Sequence, residues 1–197
     1  MVTIFTLSIP SKNTSTTPLP EGPNDQIPIN IKASKTRLYE ALKIQTISYD
    51  VDNQNITAFS IWKNFIKTNY NDILSHNQIE HKWFHHAALM IYLKPEPQKV
   101  DINNGNPLEF KKLDPVGFLA HSDVVPVKNE KWSVPAFDPE LANEMTNDTT
   151  FIYGRGTIDM KVTYISLLES LSIYLKSLDD IGQNANICER NFSKRKN

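Results

Sequence analysis

At 197 residues the chain is long enough to bury the core of one domain. Hydrophobic residues make up 40% and charged residues 22%, which excludes an extended disordered polymer, and a net charge of −1 removes any general electrostatic case for nucleic acid or an acidic membrane as partner. Cys188 is the single cysteine, so no internal disulfide forms, and no stretch approaches the ~20 apolar residues of a membrane span.

The opening Met1–Pro10 is apolar without a basic start. It resembles a signal peptide only weakly and reads as a disordered or edge-strand segment. Ser11–Asn30 is rich in Pro, Thr, Ser and Asn, so residues 1–33 are expected to form an irregular leader. A helix is predicted from about Ser34, with Leu38, Ala41 and Leu42 on one face, ending before the β-favouring Thr46-Ile47-Ser48. The strongest helical pattern runs from Thr57 to Leu74, where Phe59, Trp62, Phe65, Ile66, Tyr70 and Ile73 recur at three- and four-residue steps. Ala87–Leu93 reads as a strand buried on both faces, followed by a Pro-containing connection over Lys94–Leu113. Val116–Ala120 reads as a second buried strand ending at His121, and Phe151–Tyr153 as a short strand leading into a glycine turn. Lys161 to about Leu175 reads as a helix with Ile165, Leu168, Ser172 and Leu175 inward. The order is that of a mixed α/β sandwich over residues 34–177, with a polar tail at 178–197.

Two segments carry the chemistry. In the first, the apolar run closes in His121-Ser122-Asp123-Val124-Val125-Pro126 at the carboxyl end of a strand, where ligands gather in open α/β sheets. Neutral imidazole is a good ligand for zinc, and its second nitrogen is normally held by an acceptor. The strand period of two lets Asp123 lie on the side of His121 and play that acceptor. The same residues also describe a strand-end histidine with an aspartate opening a turn. In the second segment, Gly154-Arg155-Gly156-Thr157-Ile158-Asp159 places a carboxylate at the mouth of the following helix. There it serves either as an ordinary helix cap or as a ligand able to bridge two metal ions.

In this order and spacing the two segments resemble the aminoacylase and carboxypeptidase S family of dizinc peptidases, most nearly its Gly-Xaa carboxypeptidase and N-acyl-amino-acid hydrolase branch. Trp132, Pro135, Ala136 and Phe137 resemble the family's Trp-x-x-Pro-Pro-Phe loop, with Ala136 departing at the second proline. Leu42–Ser48 resembles its early Ile-Pro-Thr-Ile-Ser segment, with Gln45 in place of proline. The resemblance spans roughly Lys35 to Leu175 and implies the N-terminal part of a three-layer sandwich of the zinc-exopeptidase type, a mixed sheet with helices on both faces.

The resemblance also implies roles. His121 ligates one zinc ion, Asp159 bridges two, Asp123 is the accessory catalytic aspartate that orients His121, and Arg155 and Lys161 support the turn. The implied reaction is hydrolysis, by a metal-bound hydroxide, of the amide bond next to a free carboxylate in a peptide or N-acyl amino acid. The family's next element is a strand ending in two adjacent glutamates, a general base and a further ligand. Here the corresponding stretch reads Cys188-Glu189-Arg190-Asn191-Phe192-Ser193, and the earlier Asp179-Asp180-Ile181-Gly182 follows the helix with no strand between. His76, His81, His85 and His86 precede the motifs and read as surface or packing residues. The expectation is therefore a fragment with one wall of a dimetal pocket, holding one zinc or none tightly and turning over weakly or not at all. The alternative is a non-catalytic remnant acting as a metal- or protein-binding module.

Overall fold

The computed structural model of the chain describes residues 2–8, 29–50, 52–94, 115–127, 131–147 and 150–193, with side chains from 29 to 180. The elements run β1 (Val2–Ser8), α1 (Ile31–Lys43), α2 (Ile56–Asn69), α3 (Asn71–Leu74), β2 (Ile79–Phe84), β3 (Ala88–Leu93), β4 (Pro115–His121), α4 (Pro139–Thr146) and α5 (Val162–Ser193). The expected leader at 9–28 and most of the connection after Lys94 lie outside the described residues.

The strands form one mixed sheet in the order β2-β3-β1-β4. β2 and β3 are a hairpin in the register Ile79 to Leu93, β1 runs parallel to β3, and β1 pairs antiparallel with β4 from Val2–His121 to Ser8–Pro115. The opening segment is thus neither disordered nor an edge. It is an interior strand, because the β2–β3 hairpin and β4 each offer it an edge and both ladders are filled.

Asn30 and Asn55 start α1 and α2 by accepting from Ala33 N at 3.0 Å and Ala58 N at 3.1 Å. The apolar stripe of α2 is buried as its spacing predicts: Phe59, Trp62 and Ile66 are sealed, with Phe65 half-buried. The predicted helix does not run unbroken to Leu74, however. The Asn69 side chain donates to Phe65 O at 3.1 Å, and Tyr70 leaves helical geometry at φ −130° and ψ 33°. That turn aims the Tyr70 hydroxyl at Glu169 Oε1, 2.7 Å away. Glu169 also accepts from Ser34 Oγ at 2.8 Å and from Arg37 Nε and Nη2 at 2.5 and 2.6 Å, so one carboxylate ties α1, the α2–α3 junction and α5 together. Burial pushes the Glu169 carboxyl up, but the bonds from Arg37, Tyr70 and Ser34 outweigh it and hold the pKa below the ordinary value.

The core lies between the sheet and α1, α2 and α5. Leu89, Ile91 and Leu93 of β3 join Leu42, Trp62, Ile66, Tyr164, Ile165 and Leu168 in one buried cluster. Sealing each such side chain stabilises the fold by about 1.5–3 kcal/mol. Alternate residues Ala88, Met90 and Tyr92 are only half-buried, so β3 is not closed on both faces. β4 departs further from expectation. Ala120 is buried, but Val116, Phe118 and Leu119 are exposed, Leu119 at 57%. Among the described residues β1 is its one ladder neighbour, and its apolar side chains are not enclosed.

The mixed α/β class therefore stands. Among the described residues the buried cluster places helices against one sheet face, and the second helical layer is not seen. The segment 151–153 forms no strand. α5 carries on past Leu175 to Ser193, because Asp179, Asp180 and Gly182 weaken a helix without the clash a proline would bring.

Candidate active site

β4 delivers His121 to its carboxyl end, and the residues after it are caught by the segment that follows α1. Ser48 N donates to Val124 O at 3.1 Å, Val124 N donates to Thr46 O at 3.0 Å, and the buried Thr46 hydroxyl donates to Ser122 O at 2.5 Å. The β-favouring Thr46-Ile47-Ser48 becomes a single parallel bridge, Ile47 beside Val124, too short to count as a strand of the sheet.

The second segment folds as a wide turn over Thr157–Lys161 before α5. Gly156 sits at φ +82°, where side-chain-bearing residues are strained, and a Cβ there would lie 2.5 Å from Val124 Cγ1. Two constraints thus demand glycine: the turn and the close passage of the two motifs. Arg155 N donates to Ala136 O at 2.7 Å, and the Arg155 guanidinium lies 5.1 Å from the centre of the Trp132 ring. The Trp132–Phe137 loop is thereby fastened to the glycine turn.

Lys161 closes the turn from inside. It is fully buried, donates from Nζ to Ala41 O at 2.9 Å and Ile44 O at 2.6 Å, and lies 5.2 Å from the centre of the Trp62 ring. The carbonyls at the end of α1 lack helical partners, and this cation satisfies two acceptors there. Burial pushes the Lys161 pKa down to about 7 against the opposing pull of the Asp123 carboxylate.

These supports bring His121 and Asp159 face to face: His121 Nε2 lies 2.8 Å from Asp159 Oδ1. Asp159 lies three residues before α5 begins at Val162, and its carboxylate, 86% exposed, is turned to His121 rather than to the first amides of that helix. The other ring nitrogen, Nδ1, is 3.0 Å from the backbone carbonyl of Asp123 and 3.4 Å from its Oδ1. The spacing pointed to the Asp123 carboxylate as the acceptor at Nδ1, whereas the backbone carbonyl of Asp123 is the nearer atom. Both nitrogens face acceptors, yet a neutral imidazole carries one N–H. With the single N–H on Nδ1, the Nε2 lone pair is turned toward Asp159.

An imidazole nitrogen and a carboxylate oxygen are ligand types that zinc takes, and two such atoms each roughly 2 Å from one ion sit about 3–3.5 Å apart, wider than the 2.8 Å between His121 and Asp159. Among the described residues no group of three or more His, Cys, Asp or Glu side chains converges as a metal cage.

Other sequence candidates fall elsewhere. His76 Nε2 lies 3.3 Å from Asp179 Oδ1, so the aspartate that imitates a glutamate pair contacts a histidine beyond α3 instead of His121. His81, His85 and His86 are exposed around the β2–β3 hairpin. The Glu189 side chain lies outside the described residues. Sequence reasoning did not assign Thr46 its hydroxyl contact. Its β propensity marked an extended segment, but nothing in the pattern names a partner 76 positions away.

Curated proteins similar to this chain share one kind of chemistry in their names. An N-fatty-acyl-amino acid synthase/hydrolase, PM20D1, of Xenopus tropicalis is 33% identical over 146 residues, covering 72% of this chain and 25% of that protein. A probable carboxypeptidase S-like protein of Dictyostelium discoideum is 30% identical over 162 residues, 79% of this chain and 29% of its own length. The chain belongs to the aminoacylase and carboxypeptidase S family. A succinyl-diaminopimelate desuccinylase of Vesicomyosocius okutanii is 40% identical over a shorter stretch of 60 residues, 30% of this chain and 14% of that protein. The chain spans about a quarter of the length of the first of these relatives. No family model and no solved structure matches it. Among the described residues, no helix is long and apolar enough to cross a membrane.

Proposed function

We propose that the chain carries one wall of a zinc-dependent amidohydrolase site acting on the amide bond next to a free carboxylate, as in a peptide's C-terminal residue or an N-acyl amino acid. The observation that carries this reading is the His121 ring held between two acceptors, with Nε2 turned to an exposed carboxylate at the end of a strand. The relatives' names, a hydrolase of N-fatty-acyl amino acids, a carboxypeptidase and a desuccinylase, support the same bond class.

His121 Nε2 and Asp159 would hold the ion, while Asp123 keeps the Nδ1 proton engaged and so fixes the tautomer that leaves Nε2 free to ligate. Bound zinc supplies Lewis acidity that polarises the scissile carbonyl and lowers the pKa of water. The Lys161 and Thr46 contacts keep both ligands in place. These 197 residues contain no Glu-Glu pair to act as general base, a group worth ~10²–10⁴-fold. Tight binding of at most one zinc and little turnover by this chain are therefore expected.

Calorimetric zinc titration of the purified chain tests the site. One zinc, lost in both His121→Ala and Asp159→Asn, is expected, and equal affinity in all three proteins refutes it. Assay with zinc or cobalt on N-acyl amino acids and Gly-Xaa dipeptides tests the activity. Robust turnover abolished by Asp159→Ala would remove the view that the wall alone is inadequate. Zinc binding without any turnover is the outcome of the metal-binding-module reading.

A further inference from the structure

We infer that residues 41–48, the last turn of α1 and the extended segment after it, form a single clamp that sets the separation of His121 and Asp159, with Thr46 as its positioning residue. The inference rests on the proposed site and concerns what holds its two arms at one distance. His121 closes a strand that has one ladder neighbour among the described residues. Asp159 lies on an irregular turn with its side chain in solvent. The neighbours Ala120 and Met160 reach the core, but the His121 and Asp159 side chains themselves stand outside it.

What joins them is the short stretch at the end of α1. The first arm is bonded to it three times: the Thr46 hydroxyl to Ser122 O, Val124 N to Thr46 O, and Ser48 N to Val124 O. The second arm is bonded to it twice, through Lys161 Nζ to Ala41 O and to Ile44 O. One residue, Gln45, separates the last anchor of one arm, Ile44, from the first anchor of the other, Thr46, and Thr46 N is bonded to Ile44 O at 2.9 Å. The arms then meet directly where Gly156 passes Val124. Of these contacts, the Thr46 hydroxyl bond is made by a fully buried side chain and is removable without changing side-chain shape, because valine is close to isosteric with threonine.

Hydrogen exchange on the zinc-free full chain reads the clamp without relying on metal. In Thr46→Val, peptides covering 119–127 and 153–161 should both exchange about tenfold faster or more, while peptides across β2 and β3 stay within about twofold. Thr46→Ser, which keeps the hydroxyl, should restore both. Lys161→Met supplies the reciprocal variant and should accelerate 119–127 as well as its own turn. A merely local role for the Thr46 hydroxyl leaves 153–161 unmoved, since that hydroxyl is bonded to Ser122 O on the other arm. Acceleration confined to the substituted arm in both variants overturns the inference. Zinc titration separates this from the reading of the site. Where the wild-type chain binds zinc, Thr46→Val should weaken it by about 10-fold or more, and unchanged affinity counts against the clamp. Where the wild-type chain binds none, the proposed site fails while the exchange result still decides the clamp.

Discussion

The Gly156→Ala substitution places one methyl group where two independent constraints meet. Gly156 holds φ at +82°, and a side-chain-bearing residue in left-handed backbone costs roughly 1–2 kcal/mol. The new Cβ would also stand 2.5 Å from Val124 Cγ1, and forcing a methyl into a packed site costs roughly 1–3 kcal/mol. Val124 has little room to yield. Its χ1 is stiff, it is buried, and its backbone is bonded on both sides to Thr46 and Ser48. Together the two costs come to about 2–5 kcal/mol, a large part of the roughly 5–15 kcal/mol that holds an ordinary domain. Urea unfolding of Gly156→Ala, Val124→Ala and the double variant separates them. In the Val124→Ala background the glycine substitution should cost only its backbone share, about 1–2 kcal/mol, leaving a coupling of about 1–3 kcal/mol. An equal cost in both backgrounds would refute the close passage of the two motifs. A cost below about 0.5 kcal/mol in the wild-type background would refute the left-handed turn as well.

Glu169→Gln should destabilise the chain by about 2–3 kcal/mol in urea, because the carboxylate accepts from Ser34, Arg37 and Tyr70 and the amide leaves Arg37 without its charged partner. Since the folded pKa of Glu169 is below its unfolded value of about 4.3, its contribution is complete above that value and is lost as pH falls through the folded pKa. Wild type should therefore lose stability more steeply than Glu169→Gln below about pH 4, and parallel profiles would contradict the assignment. Lys161→Met should cost about 1–3 kcal/mol by thermal or urea unfolding, since it keeps the buried stem but takes the amine from Ala41 O and leaves Ile44 O with Thr46 N; a cost under about 0.5 kcal/mol would mean that water replaces the amine.

The sequence was a good guide where local periodicity and burial coincide. The three- and four-residue recurrence of Phe59, Trp62 and Ile66 follows from helix geometry alone, and the structure buries that face. It misled where the neighbour decides. Val116, Phe118 and Leu119 are apolar enough for a core strand, yet burial depends on what lies alongside, and among the described residues β4 has a strand on one side only. Tyr70 continues the apolar stripe in sequence but leaves the helix, because its hydroxyl gains Glu169 by turning away. Val2–Ser8 carried no signal of an interior place, since pairing on two edges is a property of other strands.

The candidate site divides in the same way. The amino-acid sequence by itself determined the candidate side chains: an imidazole at a strand end, a carboxylate after a glycine turn, and an aspartate two residues beyond the histidine. Those are properties of residue type and short spacing, which a chain carries whatever its fold. Only the tertiary structure decided that His121 Nε2 faces Asp159 at 2.8 Å, that the Asp123 carbonyl is the nearer atom at Nδ1, and that bonds at Thr46 and Lys161 join both arms to the segment after α1. Distances between residues far apart in sequence are set by packing and by the pairing of buried polar groups, and each of those depends on every element around it at once.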